Sequence, residues 1–431
     1  MKRKLLSLSM ALAMTASLLA GCRSSADQGS AAASTQAPAA DTAATEAATE
    51  AATETAGSGI AKEDLKVGVI YIGDENEGYT AAHMDGIKQM KESLGLSDDQ
   101  VIEKTNIPED ESCYDAAADL AEQGCQIVFA NSFGHETYML QAAADYPDVQ
   151  FCHATGYQAK SSGLANMHNY FTSVYESRYV SGVVAGLKLN EMIDDGTVKK
   201  EDCKIGYVGA FPYAEVISGF TSFFLGVRSV CPDATMEVRY TNSWADMSAE
   251  NEMAKSLIAD GCVLISQHAD TTGAPTACEA AKVPCVGYNV DMTTVAPDAA
   301  LTSASISWGP YYTYAVQSLL DGTPIDTDWC QGYADGADKI TPINEKVCAE
   351  GTQEKVDEVE SAIKDGSLHV FDTSTFTIGG KSLDDLIAEG GDYAKYADST
   401  KDGYYHESDT TLNGSAPSFD ILIDGITSIT E

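Results

Sequence analysis

The chain has 431 residues, 26 Lys+Arg against 65 Asp+Glu, and a formal net charge of −39. Hydrophobic residues make up 44%, enough for packed cores, so general disorder is excluded and the length predicts two or three domains. The acid excess excludes nucleic acid and anionic headgroups as partners, because polyanion binding works by replacing counterions with Lys and Arg.

Lys2, Arg3 and Lys4 precede an apolar stretch, residues 5–20, that is too short and too early for an ordinary spanning helix. It ends in Leu19-Ala20-Gly21-Cys22, small residues before a cysteine, which looks like a bacterial lipoprotein signal. Residues 1–21 are therefore expected to be removed, and Cys22 to carry a lipid that anchors the body outside the cytoplasm without spanning the membrane. Residues 22–60 read as a tether. They are dominated by Ala, Thr, Ser and Glu and lack aromatics, so they cannot bury enough apolar surface to offset ordering entropy. The leader carries +3 and residues 23–60 carry −4, which leaves −38 on residues 61–431. The acidity belongs to the body.

From residue 65 short apolar runs alternate with amphipathic stretches. Strands are expected at 65–73, 101–107, 126–132 and 149–155, then at 203–211, 234–244, 262–270, 283–289 and 301–307. Helices are expected at 79–93, 113–123, 213–230 and 248–260, the last with Ser248 as a possible cap. Continuous apolar strands alternating with helices predict parallel sheets covered on both faces. The two strand series have similar spacing. The fold class is therefore α/β, with two doubly wound parallel-sheet lobes around a hinge, joined by a helical stretch at 172–196. The predicted boundaries are 61–180 for the first lobe, 181–300 for the second and 301–330 for a hinge or return segment to the first. Residues 331–431, with a net charge of −14, read as an acidic C-terminal extension packed on a lobe. Within it a helix at 352–364 and strands at 376–380 and 419–426 are expected.

Removing Cys22 leaves ten cysteines. Their irregular spacing and apolar settings predict mostly free, buried thiols, with Cys278–Cys285 the pair to test first. No CxxC or paired His/Cys spacing suggests zinc, no EF-hand spacing suggests calcium, and no metal or cofactor is expected.

In such sheets ligands sit beyond the carboxyl ends of strands. Those ends are rich in aromatic, His, amide and acid residues. Tyr79 follows the acidic run Asp74, Glu75, Glu77. Asn131, Phe133 and His135 follow the third strand, and Tyr170 lies near the lobe junction. Phe211, Trp244, Asp246, His268, Asp270, Asp291 and Trp308 follow strands of the second half. Aromatic faces stack flat rings, and Asp or Asn reads ring edges. Any one of these residues has an ordinary alternative, and for Asp246 that alternative is helix capping. The recurrence predicts a site for an uncharged, planar, hydrogen-bonding heterocycle. Nucleophile elbow, P-loop, HExxH and GxGxxG motifs are absent, and the acids at 74–77 would repel a phosphate.

Several segments carry a resemblance over roughly 65–325: KVGVIYIGDENEGYTAAHMDGI, IVFANSFGH, NMHNYFTSVYESRYVSGVVAG, YTNSWADMSAENEMAKSLIADG, QHADTTGAPTA, GYNVDM and APDAALTSASISWGPYY. The chain resembles the basic membrane protein family, lipoprotein substrate-binding subunits of ABC transporters with a type I periplasmic-binding fold. SWADM, QHAD and SWGPYY point to its purine-binding branch. The resemblance implies a purine base or nucleoside as ligand, and ABC permease and ATPase subunits as partners. Nucleoside-binding members aim an Asp and a Lys at the ribose. Here the Asp slot holds Asn289, with Asp291 retained, and the Lys slot falls near Ile306, which favours a free base. The alternatives are a lipoprotein presenting the same ligand to a membrane receptor, and a nucleoside hydrolase using the clustered acids.

Overall fold

The structure, a computed structural model, describes residues 59–430. The expected signal peptide, Cys22 and the tether as far as residue 58 lie outside the described residues. Ile60, assigned to the tether from sequence, belongs to the body: its N–H donates to Leu319 O at 3.0 Å.

The first sheet is built from β1 (Val67–Ile70), β2 (Val101–Lys104), β3 (Ile127–Ala130), β4 (Gln150–Ala154) and β5 (Met167–Thr172), with α1 (Gly78–Leu94), α2 (Glu111–Glu122), α3 (Glu136–Asp145) and α4 (Ala159–Ser162) between them. The chain then crosses into α5 (Val174–Asp194) and a second unit of the same plan. This runs β6 (Lys204–Gly209), α6 (Ala214–Val230), β7 (Thr235–Tyr240), α7 (Met247–Ala259), β8 (Leu264–His268), α8 (Gly273–Ala281), β9 (Cys285–Tyr288) and β10 (Ala300–Ile306). It returns to the first lobe for α9 (Gly309–Asp321) and β11 (Asp328–Gln331), and crosses again to β12 (Asp338–Ile340). Most of the remainder packs on the second lobe: α10 (Thr352–Lys364), α11 (Leu383–Glu389), β13 (Thr400–Lys401), β14 (Tyr404–Tyr405) and, after α12 (Thr410–Asn413), which lies against β11, the last strand β15 (Ile426–Ile429).

The strand orders are β11-β5-β4-β3-β1-β2 and β12-β10-β9-β8-β6-β7-β15. Pairing is parallel throughout both, except that β12 runs antiparallel to β10. The expected fold class is borne out. Strands such as VGVI and IVFA are buried at every position, because helices cover both faces of each sheet. Backbone conformation repeats as well. Asn106 and Asn242, two residues past β2 and β7, have φ of 57° each, and Thr155 and Asn289, directly after β4 and β9, have φ of 65° and 63°. These turns are equivalent in the two lobes, so the repeat suspected from strand spacing extends to single residues.

The structure corrects several expectations. Residues 300–306 form an interior strand of the second sheet rather than hinge, and the crossing follows Ile306. The 61–180 boundary falls late, because α5 starts at Val174 and from Tyr179 onward packs in the core of the second lobe, Val174 itself staying in the first. Residues 376–380 form no strand, only a tight turn bridging Ile378 and Lys381. The last strand is Ile426–Ile429, not 419–426, although Phe419, Ile421 and Ile423 are buried. All ten cysteines of the described residues are free, Cys278 and Cys285 included, and eight are buried. Among the described residues no helix is long and apolar enough to cross a membrane.

Helices α5 and α6 touch backbone to backbone. A Cβ on Gly182 would lie 2.1 Å from Phe223 O, and one on Gly226 would lie 2.1 Å from Tyr179 O. We expect Gly226→Ala to cost about 1–3 kcal/mol by overpacking, read as a lowered urea midpoint at unchanged slope. A midpoint equal to that of the parent would show that the helices separate freely.

Candidate functional site

In a 2-1-3-4-5 sheet the neighbours of the first strand lead away on opposite sides, which opens a crevice between the ends of strands 1 and 3. Both lobes have this order, and their crevices face each other. Between them lies a cavity of about 180 Å³. From the first lobe it is lined by Ile72 and Gly73 after β1, Tyr79 on α1, Asn131 and Phe133 after β3, and Thr155 after β4. The second lobe contributes Glu215 at the start of α6, Trp244 after β7, Asp270 after β8 and Tyr288 ending β9. The lobes touch here. Gly78 N–H donates to Asp270 O at 3.4 Å, and Phe133 stacks on Tyr213 at 5.8 Å.

Of the residues expected from sequence, Tyr79, Asn131, Phe133, Trp244 and Asp270 line this cavity. The Asn131 side chain accepts from Ile72 N–H at 2.9 Å, and its backbone carbonyl accepts from Tyr79 Oη at 2.6 Å. These bonds hold the ends of β1 and β3 and the start of α1 in one arrangement. The Phe133 ring stacks near Tyr157 at 6.2 Å and near Tyr213 at 5.8 Å. Phe133 is thus partnered by two other aromatic rings at the exposed rim of the cavity.

Six expected residues do not line it, for physical reasons. Tyr170 stacks on Tyr311 at 3.8 Å inside the first lobe. Trp308 is fully buried and stacks on His83 at 4.0 Å. After β10 the chain enters the first lobe, which draws this aromatic into the core. Trp308 and Asp291 border a separate hollow beside α1, and the Asp291 carboxylate accepts from Thr293 N–H. Asp246 caps α7 by accepting from Ala249 N–H at 2.9 Å, so the cap is Asp246 and not Ser248. Phe211 and His268 stand one layer back. Phe211 stacks on Tyr213 at 5.0 Å and leans on Trp244 at 5.4 Å, and the His268 ring lies 6.4 Å from that of Trp244.

Glu77, Glu109, Thr155, Glu215 and Tyr288 are lining residues that the sequence reading did not select. Glu77 has a local signature, an acid directly before a helix. It caps α1, accepting from Tyr79 N–H at 2.6 Å and Thr80 N–H at 2.8 Å. Glu215 lies inside the first turn of α6, past the strand end where a site residue is usually sought.

The electrostatics are unusual. Glu77, Glu215, Asp270 and, behind Thr271, Glu250 form one acidic group. Burial pushes Glu215 from its usual 4.5 up to about 7, with Arg178 pulling the other way. Glu250 is also pushed up to about 7, chiefly by burial. Asp270 is held well above the usual carboxylate range by burial, then by repulsion from Glu77, Glu250 and Glu215, although Asn289 Nδ2 donates to it at 2.9 Å. Burial raises Glu77 against its two capping bonds. Arg178, on α5, is fully buried and is the cation nearest these acids among the described residues. It donates to Gln267 O at 2.6 Å and lies 3.8 Å above the Tyr288 ring. His268 is kept neutral by burial and by Arg178, so its 3.3 Å contact with Glu215 is a hydrogen bond and not an ion pair. The cavity thus offers aromatic walls and acidic edges, with no Lys or Arg in its lining.

A carboxyl with a raised pKa in the folded state stabilises fully below its unfolded value and loses that contribution as pH rises through the folded one. For Glu215 and Glu250 the loss runs from 4.5 to about 7. The ligand-free protein should therefore melt at the highest temperature near pH 5 and at progressively lower temperature toward pH 8, and Glu215→Gln should flatten that slope. Circular dichroism melts at stepped pH decide; a profile rising from pH 5 to 8 would contradict the buried acid group.

The sequence profile described as ABC transporter substrate-binding protein, PnrA-like, matches residues 64–372. A purine-binding protein of Brucella abortus is 34% identical over 345 residues, covering 78% of this chain and 93% of the relative. A protein of Haloferax volcanii named for glucose binding in an ABC transporter is 30% identical over 316 residues, covering 73% of this chain and 76% of the relative. Among solved structures, an ABC transporter solute-binding protein from Conexibacter woesei superposes with a TM-score of 0.57 at 22% identity, covering 71% of this chain and 98% of that one. One from Aeropyrum pernix superposes with 0.59 at 15% identity, covering 71% and 93%. At these identities the structural likeness speaks for the fold alone.

Proposed function

Because the chain belongs to the PnrA-like family of ABC transporter substrate-binding proteins, we propose that it captures a purine base between its lobes and delivers it to a membrane permease and its ATPase. In this reading it works at the outer face of the cell membrane, held there by a lipid on Cys22. The family consists of binding proteins rather than enzymes, so the nucleoside hydrolase alternative falls.

The observation that carries the ligand reading is the cavity. An apolar cavity of about 150 Å³ takes up benzene, so about 180 Å³ suits one or two fused rings. Trp244, Tyr79 and Tyr288 supply aromatic surface, and Asp270 and Glu215 supply acceptors for ring N–H and amino groups. A purine base has both the flat apolar face and the donor-bearing edge. Phosphorylated nucleotides meet acids and no cation. Two further features favour the base over the nucleoside. Asn289, in the slot where nucleoside binders carry an Asp, commits its amide to Asp270. Ile306, at the Lys slot, is 2% exposed. The relative from Brucella, named for purine binding, supports the same reading.

Calorimetry with adenine, guanine, hypoxanthine, xanthine, their nucleosides and glucose should show at least one purine base bound more tightly than about 100 μM, or about −5.5 kcal/mol. Its nucleoside should bind more weakly. Trp244→Ala and Asp270→Ala should each weaken binding tenfold or more, since the one removes ring contact and the other leaves a donor unpaired. Binding of glucose alone, or of no compound in the set, would remove the purine reading.

A further inference from the structure

The family profile ends at residue 372, and the chain beyond it does something the lobes do not. It is anchored in the second lobe on both sides of a short excursion. Before the excursion, Tyr396 and Tyr405 sit in the second core; after it, Phe419, Ile421 and Ile423 return to that core and β15 pairs with β7. Between these anchors, residues 408–417 leave the second lobe and lie along the first. Lys160 Nζ, on α4, donates to Thr411 O at 3.1 Å. Asp328, on the edge strand β11, accepts from Ser415 N–H at 3.3 Å. Ser408 Oγ lies 2.6 Å from Ser173 Oγ and donates to Tyr175 Oη at 3.0 Å. Ser173 is the residue at which the chain first crosses between the lobes, from β5 into α5.

The base of the excursion is closed by one buried side chain. Glu407 accepts from Ser418 N–H at 2.9 Å and from Phe419 N–H at 3.0 Å, which joins the two ends of the loop, and it accepts from Ser218 Oγ on α6 at 2.8 Å. The loop itself is stiffened. Asp409 caps α12, and Asn413 Nδ2 donates back to His406 O at 2.7 Å. A closed, capped loop rooted in one lobe and bonded to the other at the crossover resists separation of the two.

We propose that residues 408–417 form a strap across the hinge that holds the lobes together, biasing the ligand-free protein toward the closed arrangement. A ligand that is enclosed only in the closed form binds more tightly as that form becomes more populated. Cutting the strap therefore opens the empty protein and weakens capture.

The contacts can be removed from the first-lobe side without altering the strap, by Lys160→Met with Asp328→Ala, and from the strap side by Ser408→Ala. Small-angle scattering of the ligand-free full chain, with circular dichroism to confirm folding, reads the opening directly. The expected result is a larger radius of gyration in both variants, largest in the double variant. For any purine that the parent binds, affinity should also fall about two- to tenfold, the range of the net contribution of a typical hydrogen bond. Because the scattering needs no ligand, it tests the strap even if the purine reading fails. An unchanged radius in folded variants would overturn the proposal, and so would a larger radius with undiminished affinity.

Discussion

An ionised carboxylate leaves water only at great cost unless a charge or several donors meet it. The cleft gathers Glu77, Glu215, Glu250 and Asp270, with buried Arg178 behind them. The conflict is eased in two ways at once. Protons stay on where repulsion is greatest, which keeps Asp270 well above the usual range. Backbone and side-chain donors are drawn in: Glu77 takes two N–H groups at the head of α1, Glu250 accepts from Thr271 N–H, and Asp270 takes the Asn289 amide. The same acids that would face a ligand therefore fix the loops that shape the cavity. Its form and its preference for hydrogen-bond donors have one origin.

Closure adds a second constraint. The lobes meet at Gly78 and Asp270 on one side of the cavity and at Phe133 and Tyr213 on the other. Opening the lobes must part Phe133 from Tyr213, because the two rings belong to different lobes. The hinge that allows this consists of three chain crossings, after β5, after β10 and between β11 and β12. Burial of small apolar area at the mouth is weak compared with the cores, so it can break and reform.

The fold was legible because each strand is a short apolar run with helical periodicity between runs, and that pattern survives burial on both faces. The fifth strand of the first lobe, MHNYFT, was not, because its polar residues mask it. Inside the fold, His168 pairs with Asp326 O and Gln150, and the Asn169 side-chain oxygen accepts from Ala159 N–H. In the site, residues that follow central strands were readable: Asn131, Phe133, Trp244 and Asp270 all lie where the topology sends them. Tyr170 and Trp308 misled because an aromatic at a strand end looks the same whether the chain turns toward the cleft or crosses to the other lobe. Trp308, Tyr311 and Tyr312 do carry a signal, the i, i+3, i+4 spacing of a buried helix face, and all three are fully buried. Glu215 gave no comparable signal, since its place depends on how two separate sheets face each other, whereas Tyr288 ends β9 and carried the same strand-end mark without being selected.

Charge acts at two ranges. The 38 net negative charges of the body set a field that repels anions over a distance of about a Debye length, near 8 Å at physiological ionic strength. Salt weakens that field, so alone it is a poor filter. Within the cavity screening is slight and the lining holds acids but no Lys or Arg, so an anion that reached it would find no cation. The long-range term slows the approach of phosphorylated compounds, while the short-range term denies them a bound state. A neutral heterocycle escapes the first and, if its edge carries N–H groups, gains from the second. The acidity that runs through the whole body and the chemistry of its cleft thus exclude the same class of molecule, by mechanisms that respond differently to salt.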